Sequence, residues 1–214
     1  MKLLVVLLST LAMSGAAATF ATEYHAAAFA RSTKMAVITA LADGAAPQTP
    51  FSNRALREVL VTCGTVQQGL VYALQPPKMQ DQVNTSCTQI ATSALRRNPT
   101  FAAAHTILMQ SATAPDTVKN ALVQSQTTAP LEAWQAKLRL QKGLPFYGTG
   151  HHAVDHALAA DIGFLVQSPG GRTWLARTYQ EHIAQRPIIV ATLKQRPAAQ
   201  QAAFLQEVKT LGHN

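Results

Sequence analysis

The chain has 214 residues, enough for one domain with a real core, with or without an anchor. Hydrophobic residues make up 48% of it and charged residues only 13%, about half the usual share, with Ala and Gln filling the gap in a manner that suits helices packed through small side chains. The net charge of +8 is spread from Arg31 to Lys209 without a run of five, so nucleic acid is excluded as an expected partner; an anionic membrane surface or an acidic polymer is a more natural neighbour.

The N-terminus reads as a targeting segment. Lys2 is a minimal positive start, Leu3 to Met13 is an apolar run, and Ala16-Ala17-Ala18 fits a small-residue cleavage site, with Ala21 as a second choice. No charge occurs between Lys2 and Glu23, and that stretch of 20 residues also suffices to span a bilayer. Residues 1–21 are therefore expected to be a signal peptide or a membrane anchor, with a possible tether through residues 3–22. Either way the remainder is expected outside the cytoplasm: periplasmic, or anchored in the inner membrane with the domain on the periplasmic side.

Residues 22–51 are expected to form an N-terminal helix over Glu23 to Asp43, with a ragged apolar stripe, and a Gly/Pro linker. Ser52 then reads as an N-cap, with Phe51 and Leu56 placed to close a hydrophobic staple. Leu56, Val59, Leu60, Cys63, Val66, Leu70, Ala73 and Leu74 follow the spacing of a buried helical face as far as Pro76-Pro77. A returning helix carries Val83, Cys87, Ile90, Ala91, Ala94 and Leu95 and closes at Asn98-Pro99. Cys63 and Cys87 lie equally far from the turn, so an antiparallel hairpin would set both sulfurs at one height. The spacing predicts a disulfide, which an exported protein can keep; two free buried thiols are the alternative.

After Pro99 the chain repeats itself. Pro99-Thr-Phe-Ala102 is answered 31 residues later by Pro130-Leu-Glu-Ala133, each opening a helix. Between them Val118, Ala121, Leu122 and Ser125 mark a second amphipathic helix. Two helices per unit at a period near this length suggest a solenoid. Ala94-Leu95-Arg96-Arg97-Asn98-Pro99, followed by an Ala-rich helix start, resembles the junction between two tetratricopeptide (TPR) repeats, with Cys87 where a repeat wants a small residue. The resemblance covers roughly residues 55–143 and departs from the family in lacking the Gly-Tyr pair of the first helix and in its shortened second copy.

What the resemblance implies is a right-handed array of helical hairpins over residues 52–143, binding a protein or peptide partner in its concave face. Because the first helix of each TPR repeat lines that groove, His105, Trp134 and Arg139 are the expected binding residues.

Residues 144–214 are expected to complete the same domain with four packed helices. Gly143 to Gly150 is a loop. His152 to Val166 forms a helix, with Ala153, His156, Ala157, Ala160, Phe164 and Leu165 inward, and Ser168-Pro-Gly-Gly171 breaks it. Helices follow over Thr173 to His182, from Arg186-Pro187, and from Pro197, the last with Ala202, Leu205, Val208 and Leu211 as its stripe. No strand pattern occurs, so the fold class is all-α.

Few residues carry recognisable chemistry. His152 and His156 lie one turn apart, and Asp155 beside them could be a third metal ligand or its partner; a polar helix start explains the same residues. No Glu follows His152, so the pair is not a metalloprotease motif. Gly148-Thr-Gly150 lacks the preceding strand of a dinucleotide fingerprint. Trp134, Trp174 and Tyr179 read first as core. The expectation is a non-catalytic, cofactor-free protein that mediates protein–protein interaction in the bacterial envelope, with a periplasmic metal-binding protein using His152, Asp155 and His156 as the alternative.

Overall fold

The computed structural model describes the backbone of residues 2–212 and their side chains except those of residues 2–12, 14, 15 and 18. Most of the apolar run from Leu3 to Met13 thus lies outside the described side chains. Among the described residues no helix is long and apolar enough to cross a membrane. The same residues form twelve α-helices, two short 3-10 turns and no strand, so the chain is all-α. Its contacts divide it into two compact units, Met1–Pro99 and Thr100–Asn214.

The first unit contains α1 (Lys2–Arg31), α2 (Lys34–Ala42), α3 (Asn53–Gln67), α4 (Leu70–Ala73) and α5 (Pro77–Arg97). The helix expected over Glu23 to Asp43 is in fact broken at Ser32-Thr33. Thr33 is extended, and its hydroxyl accepts the Ala36 N–H at 3.3 Å, capping α2. A threonine hydroxyl that captures a nearby amide competes with the helix ladder. Two helices with separate stripes account for the raggedness of the pattern.

Ser52 caps α3 as expected, its Oγ accepting the Ala55 N–H at 3.1 Å. Of the pair expected to form the staple, Leu56 is buried while Phe51 remains 67% exposed. A different contact fixes the entry of α3. The Ser52 N–H and Oγ–H donate to the two oxygens of Glu23 at 2.7 and 2.6 Å. α1 packs on α3 with Ala26 and Phe29 buried, whereas Met13, Phe20 and Tyr24 are exposed. Among the described side chains of α1, the buried ones, Ala26 and Phe29, both follow Glu23.

α3 and α5 form the expected hairpin. Leu56, Val59, Leu60, Cys63 and Val66 are buried on one arm, and Val83, Cys87, Ile90, Ala91 and Ala94 on the other. Cys63 and Cys87 are joined by a disulfide, both fully buried, with Cα atoms 6.0 Å apart. One correction concerns the end of the first arm. α3 stops at Gln67 and Gly69 is extended, so Leu70, Ala73 and Leu74 leave the buried face on which the periodicity placed them. Glycine is a poor helix former by about 1 kcal/mol, and here it separates α3 from a short independent turn.

The second unit contains α6 (Ala102–Ser111), α7 (Pro115–Thr128), α8 (Ala133–Gly143), α9 (His152–Leu165), α10 (Pro169–Glu181), α11 (Arg186–Leu193) and α12 (Ala198–Gly212), with 3-10 turns over Leu144–Phe146 and Ile183–Gln185. α6 and α8 each start three residues after a proline, Pro99 and Pro130. α6 packs on α7 and α8, α7 on α8 and α9, and α8 on α9.

Three local expectations are corrected here. On α9 the buried residues are Val154, Ala157, Leu158, Asp161, Ile162 and Leu165, while Ala153 and His156 are exposed. The polar Asp161 lies in the middle of the true buried stripe, which displaced a reading made from apolar residues alone. The break at Ser168 is present, but α10 begins at Pro169 rather than Thr173, so Gly170 and Gly171 lie in its first turn, capped by Ser168, whose Oγ accepts the Gly171 N–H at 3.2 Å. A Cβ on Gly171 would come within 2.1 Å of the Leu165 carbonyl oxygen, so the tight turn between α9 and α10 requires glycine. On α12 the buried anchor is Phe204, and Leu205 is 59% exposed.

Candidate functional site

The three residues expected to line a binding groove do not share a surface. His105 is half-buried on α6. Trp134, at the start of α8, packs its ring against the core, and its Nε1 is buried without a hydrogen-bond partner. Arg139 is fully buried. Its Nε and Nη2 donate to the two oxygens of Asp161 at 2.7 Å each, and its Nη1 donates to Ser125 Oγ at 3.0 Å. The Ser125 and Thr106 hydroxyls lie 2.6 Å apart and share one hydrogen bond, which leaves one of them to donate to Gln135 Oε1, 3.1 Å from Thr106 and 3.2 Å from Ser125. The network ties α6, α7, α8 and α9 together at the centre of the unit. Burial pushes the Asp161 carboxyl up from its ordinary range, and the Arg139 guanidinium draws it back down.

The histidine cluster does not assemble. His152 and His156 are exposed, and Asp155 Oδ1 accepts the Gly148 N–H at 2.9 Å, which ties the preceding loop to α9. Among the described residues no group of three His, Cys, Asp or Glu side chains is placed to hold a metal ion.

The feature that the periodicity missed lies at the apex of the cross-linked hairpin. Leu70 and Leu74 are each 74% exposed and Val71 is 39% exposed, all within one turn on and beside α4. Between Glu58 and Asp81 the only charged residue is Lys78.

Polar contacts beneath the apex hold it in shape. The Tyr72 hydroxyl and the Gln67 Nε2 both donate to Asn84 Oδ1, at 3.0 and 2.9 Å, tying α4 and the end of α3 to α5. Gln80 Nε2 donates to the Gln75 carbonyl at 2.8 Å. Burial pushes the Tyr72 phenol up, which keeps its proton in place for Asn84. With the Tyr72 hydroxyl turned inward, Leu70, Val71, Ala73 and Leu74 are the residues of this turn left outward. The sequence signal for the break was Gly69, which lies between two stretches of otherwise unbroken spacing.

The architecture defines a class: an all-α protein of helical hairpins, the first of them cross-linked through its core. Compared with known proteins, the chain matches no family model, no curated protein sequence and no solved structure.

Proposed function

We propose that the protein is a non-catalytic, exported helical-repeat protein that mediates protein–protein interaction in the bacterial envelope. The observation that carries this reading is the apolar apex of Leu70, Val71 and Leu74, held outward on a braced and cross-linked support. Contiguous apolar side chains that a fold presents to solvent mark interaction sites more often than isolated ones do. The near-absence of charge around the apex favours an apolar surface on a partner protein over an ionic one. A buried disulfide accords with an oxidising compartment, and the N-terminal targeting pattern supplies a route there.

A TPR-like array is the architectural part of the proposal. Its support is the matching starts of α6 and α8 and the packing order of α6 to α9. Burial of Arg139 moves the proposed binding surface away from the groove of the family and onto the apex.

Capture from envelope extract, with the domain beginning after residue 21 as bait, tests the function. A specific partner is expected that Leu70→Ser/Leu74→Ser loses while the fold, read by circular dichroism, is retained. Recovery of the same proteins by the double variant would overturn the apex as the site.

A further inference from the structure

The apex is one end of the cross-linked hairpin, and the opposite end has a different chemistry. The start of α3 and the last turn of α5 make up this base. The Glu23 carboxylate receives the Ser52 N–H and hydroxyl there, so α1 joins the hairpin at its base and not at its apex. Large rings stand in solvent around that joint. Phe20 is 72% and Tyr24 63% exposed, and their rings stack with centroids 6.4 Å apart. Phe51, the neighbour of Ser52, shares a surface hollow with Arg97, whose Nη2 donates to the Pro50 carbonyl at 2.8 Å.

The charge at this end is mostly positive. Arg54, Arg57, Arg96 and Arg97 lie in the first two turns of α3 and the last turn of α5, and all four are exposed. The carboxylates among them are already engaged, Glu23 by Ser52 and Glu58 by Arg54 at 3.4 Å. From Phe20, α1 runs back towards Lys2, and no residue from Leu3 to Thr22 is charged. Exposed rings with arginines beside them, continuous with an uncharged helix, suit the boundary between water and an anionic bilayer. A protein partner accounts for the rings and the arginines but not for their continuity with the uncharged run.

We infer that the base of the hairpin seats on an anionic lipid bilayer. Phe20, Tyr24 and Phe51 enter the headgroup layer, the arginines around them face lipid phosphates, and α1 ahead of Phe20 lies in the lipid. The 15 residues of α3 then set about 22 Å of helix between the bilayer and the turn that carries Leu70 and Leu74, which leaves the apex in water. The inference holds whatever the apex binds.

Because Cys63 and Cys87 are cross-linked, one added thiol can be labelled alone. Full chains labelled with bimane at Asn53→Cys, in the base, or at Ala73→Cys, in the apex, are mixed with neutral phosphatidylcholine vesicles or with vesicles that also contain phosphatidylglycerol. Both kinds hold a headgroup-nitroxide lipid as quencher. In the anionic vesicles the Asn53 label is expected to be quenched and the Ala73 label spared. Sedimentation of the unlabelled full chain is expected to show tighter binding to anionic than to neutral vesicles. The uncharged run adds to both and cancels in the ratio. Arg96→Gln is expected to lower that ratio about fivefold, the effect of one basic residue near an anionic surface. Phe51→Ser is expected to weaken binding to both kinds of vesicle, and Leu70→Ser/Leu74→Ser to bind like the parent. Equal quenching at the two labels, no preference for anionic vesicles, insensitivity to Arg96→Gln or to Phe51→Ser, or loss of binding in the apex variant would each overturn the inference. The capture of a partner by the apex is read separately, so the failure of one site does not decide the other.

Discussion

Arg139 and Asp161 form a two-pronged ion pair with both side chains fully excluded from solvent. The same guanidinium reaches Ser125, so the pair joins α7, α8 and α9 through one side chain. Its energetics depend on the balance between desolvation and attraction. A buried pair is weak evidence for stability, but removal of one partner strands the other charge.

That balance yields the first prediction. Arg139→Met or Asp161→Leu alone should destabilise the second unit by about 3–5 kcal/mol, whereas the double variant should come close to the parent. Urea unfolding of the four proteins measures the coupling. The pH dependence has a definite sign, because burial raises the Asp161 carboxyl in the folded state. The folded chain then holds this proton to higher pH than the unfolded chain does. The contribution of Asp161 to stability is greatest below the ordinary carboxylate pKa and declines as pH rises through the raised folded value. The double variant should lack this component of the pH profile.

Glu23 has the opposite sign. Hydrogen bonds from the Ser52 hydroxyl and then the Ser52 N–H lower its carboxyl below the ordinary value. Its contribution is present above the unfolded pKa and is lost as pH falls through the lowered folded value. Glu23→Gln should therefore loosen α1 from the start of α3 at neutral pH. The difference between variant and parent should vanish in acid. Hydrogen exchange at the Ala26 and Phe29 amides, measured across that range, checks the prediction.

The disulfide closes a loop of sequence separation 24 in the first unit. Replacement of both cysteines by alanine should cost about 3.4 kcal/mol in the chain-entropy model. Denaturant unfolding quantifies the loss, and hydrogen exchange should place it on the α3 and α5 amides. Intact mass from the native host should show two hydrogens fewer than the reduced chain.

Gly163 supplies a further test. A Cβ there would come within 1.5 Å of Arg196 Nη2, because the guanidinium lies against the bare backbone of α9. Gly163→Ala in the parent should push the Arg196 guanidinium, the flexible end of a half-buried side chain, off α9, so that only part of the propensity gain of about 1 kcal/mol is realised. In an Arg196→Ala background the same change should stabilise by about 1 kcal/mol, the propensity difference alone. Thermal unfolding of the double-mutant cycle decides whether the guanidinium is the obstacle.

Several features could be read from the chain because their causes are local. Ser52, Pro115, Arg186-Pro187 and Asn98-Pro99 mark helix ends through capping or a missing N–H, and the structure has helix ends there. The Cys63–Cys87 pairing followed from symmetry about the turn. The misreadings have local causes too, but of competing strength. Thr33 captured an amide in a stretch with continuing apolar spacing, and Gly69 ended a stripe that the apolar residues carried onward.

The burial of Arg139 was not readable from position in a repeat. Arg139 lies where a groove residue was expected, but its partner Asp161 is 22 positions away on another helix. No periodicity links the two. Asp161 in turn occupies the buried stripe of α9, so the inward face was misplaced and His156 was drawn inside. The apex was hidden for a related reason. A leucine at helical spacing reads as core unless the neighbour that would cover it is known to be absent.

By itself, then, the amino-acid order specified an all-helical chain, the main helical segments and the cross-link, because capping, periodicity and chain reversal operate over a few residues. Tertiary structure alone decided that Arg139 belongs to the core and that Leu70 and Leu74 face solvent. Each of those outcomes depends on which side chain from a distant segment arrives, or fails to arrive, to desolvate a group. That is a property of packing in three dimensions and is not encoded in spacing along one helix.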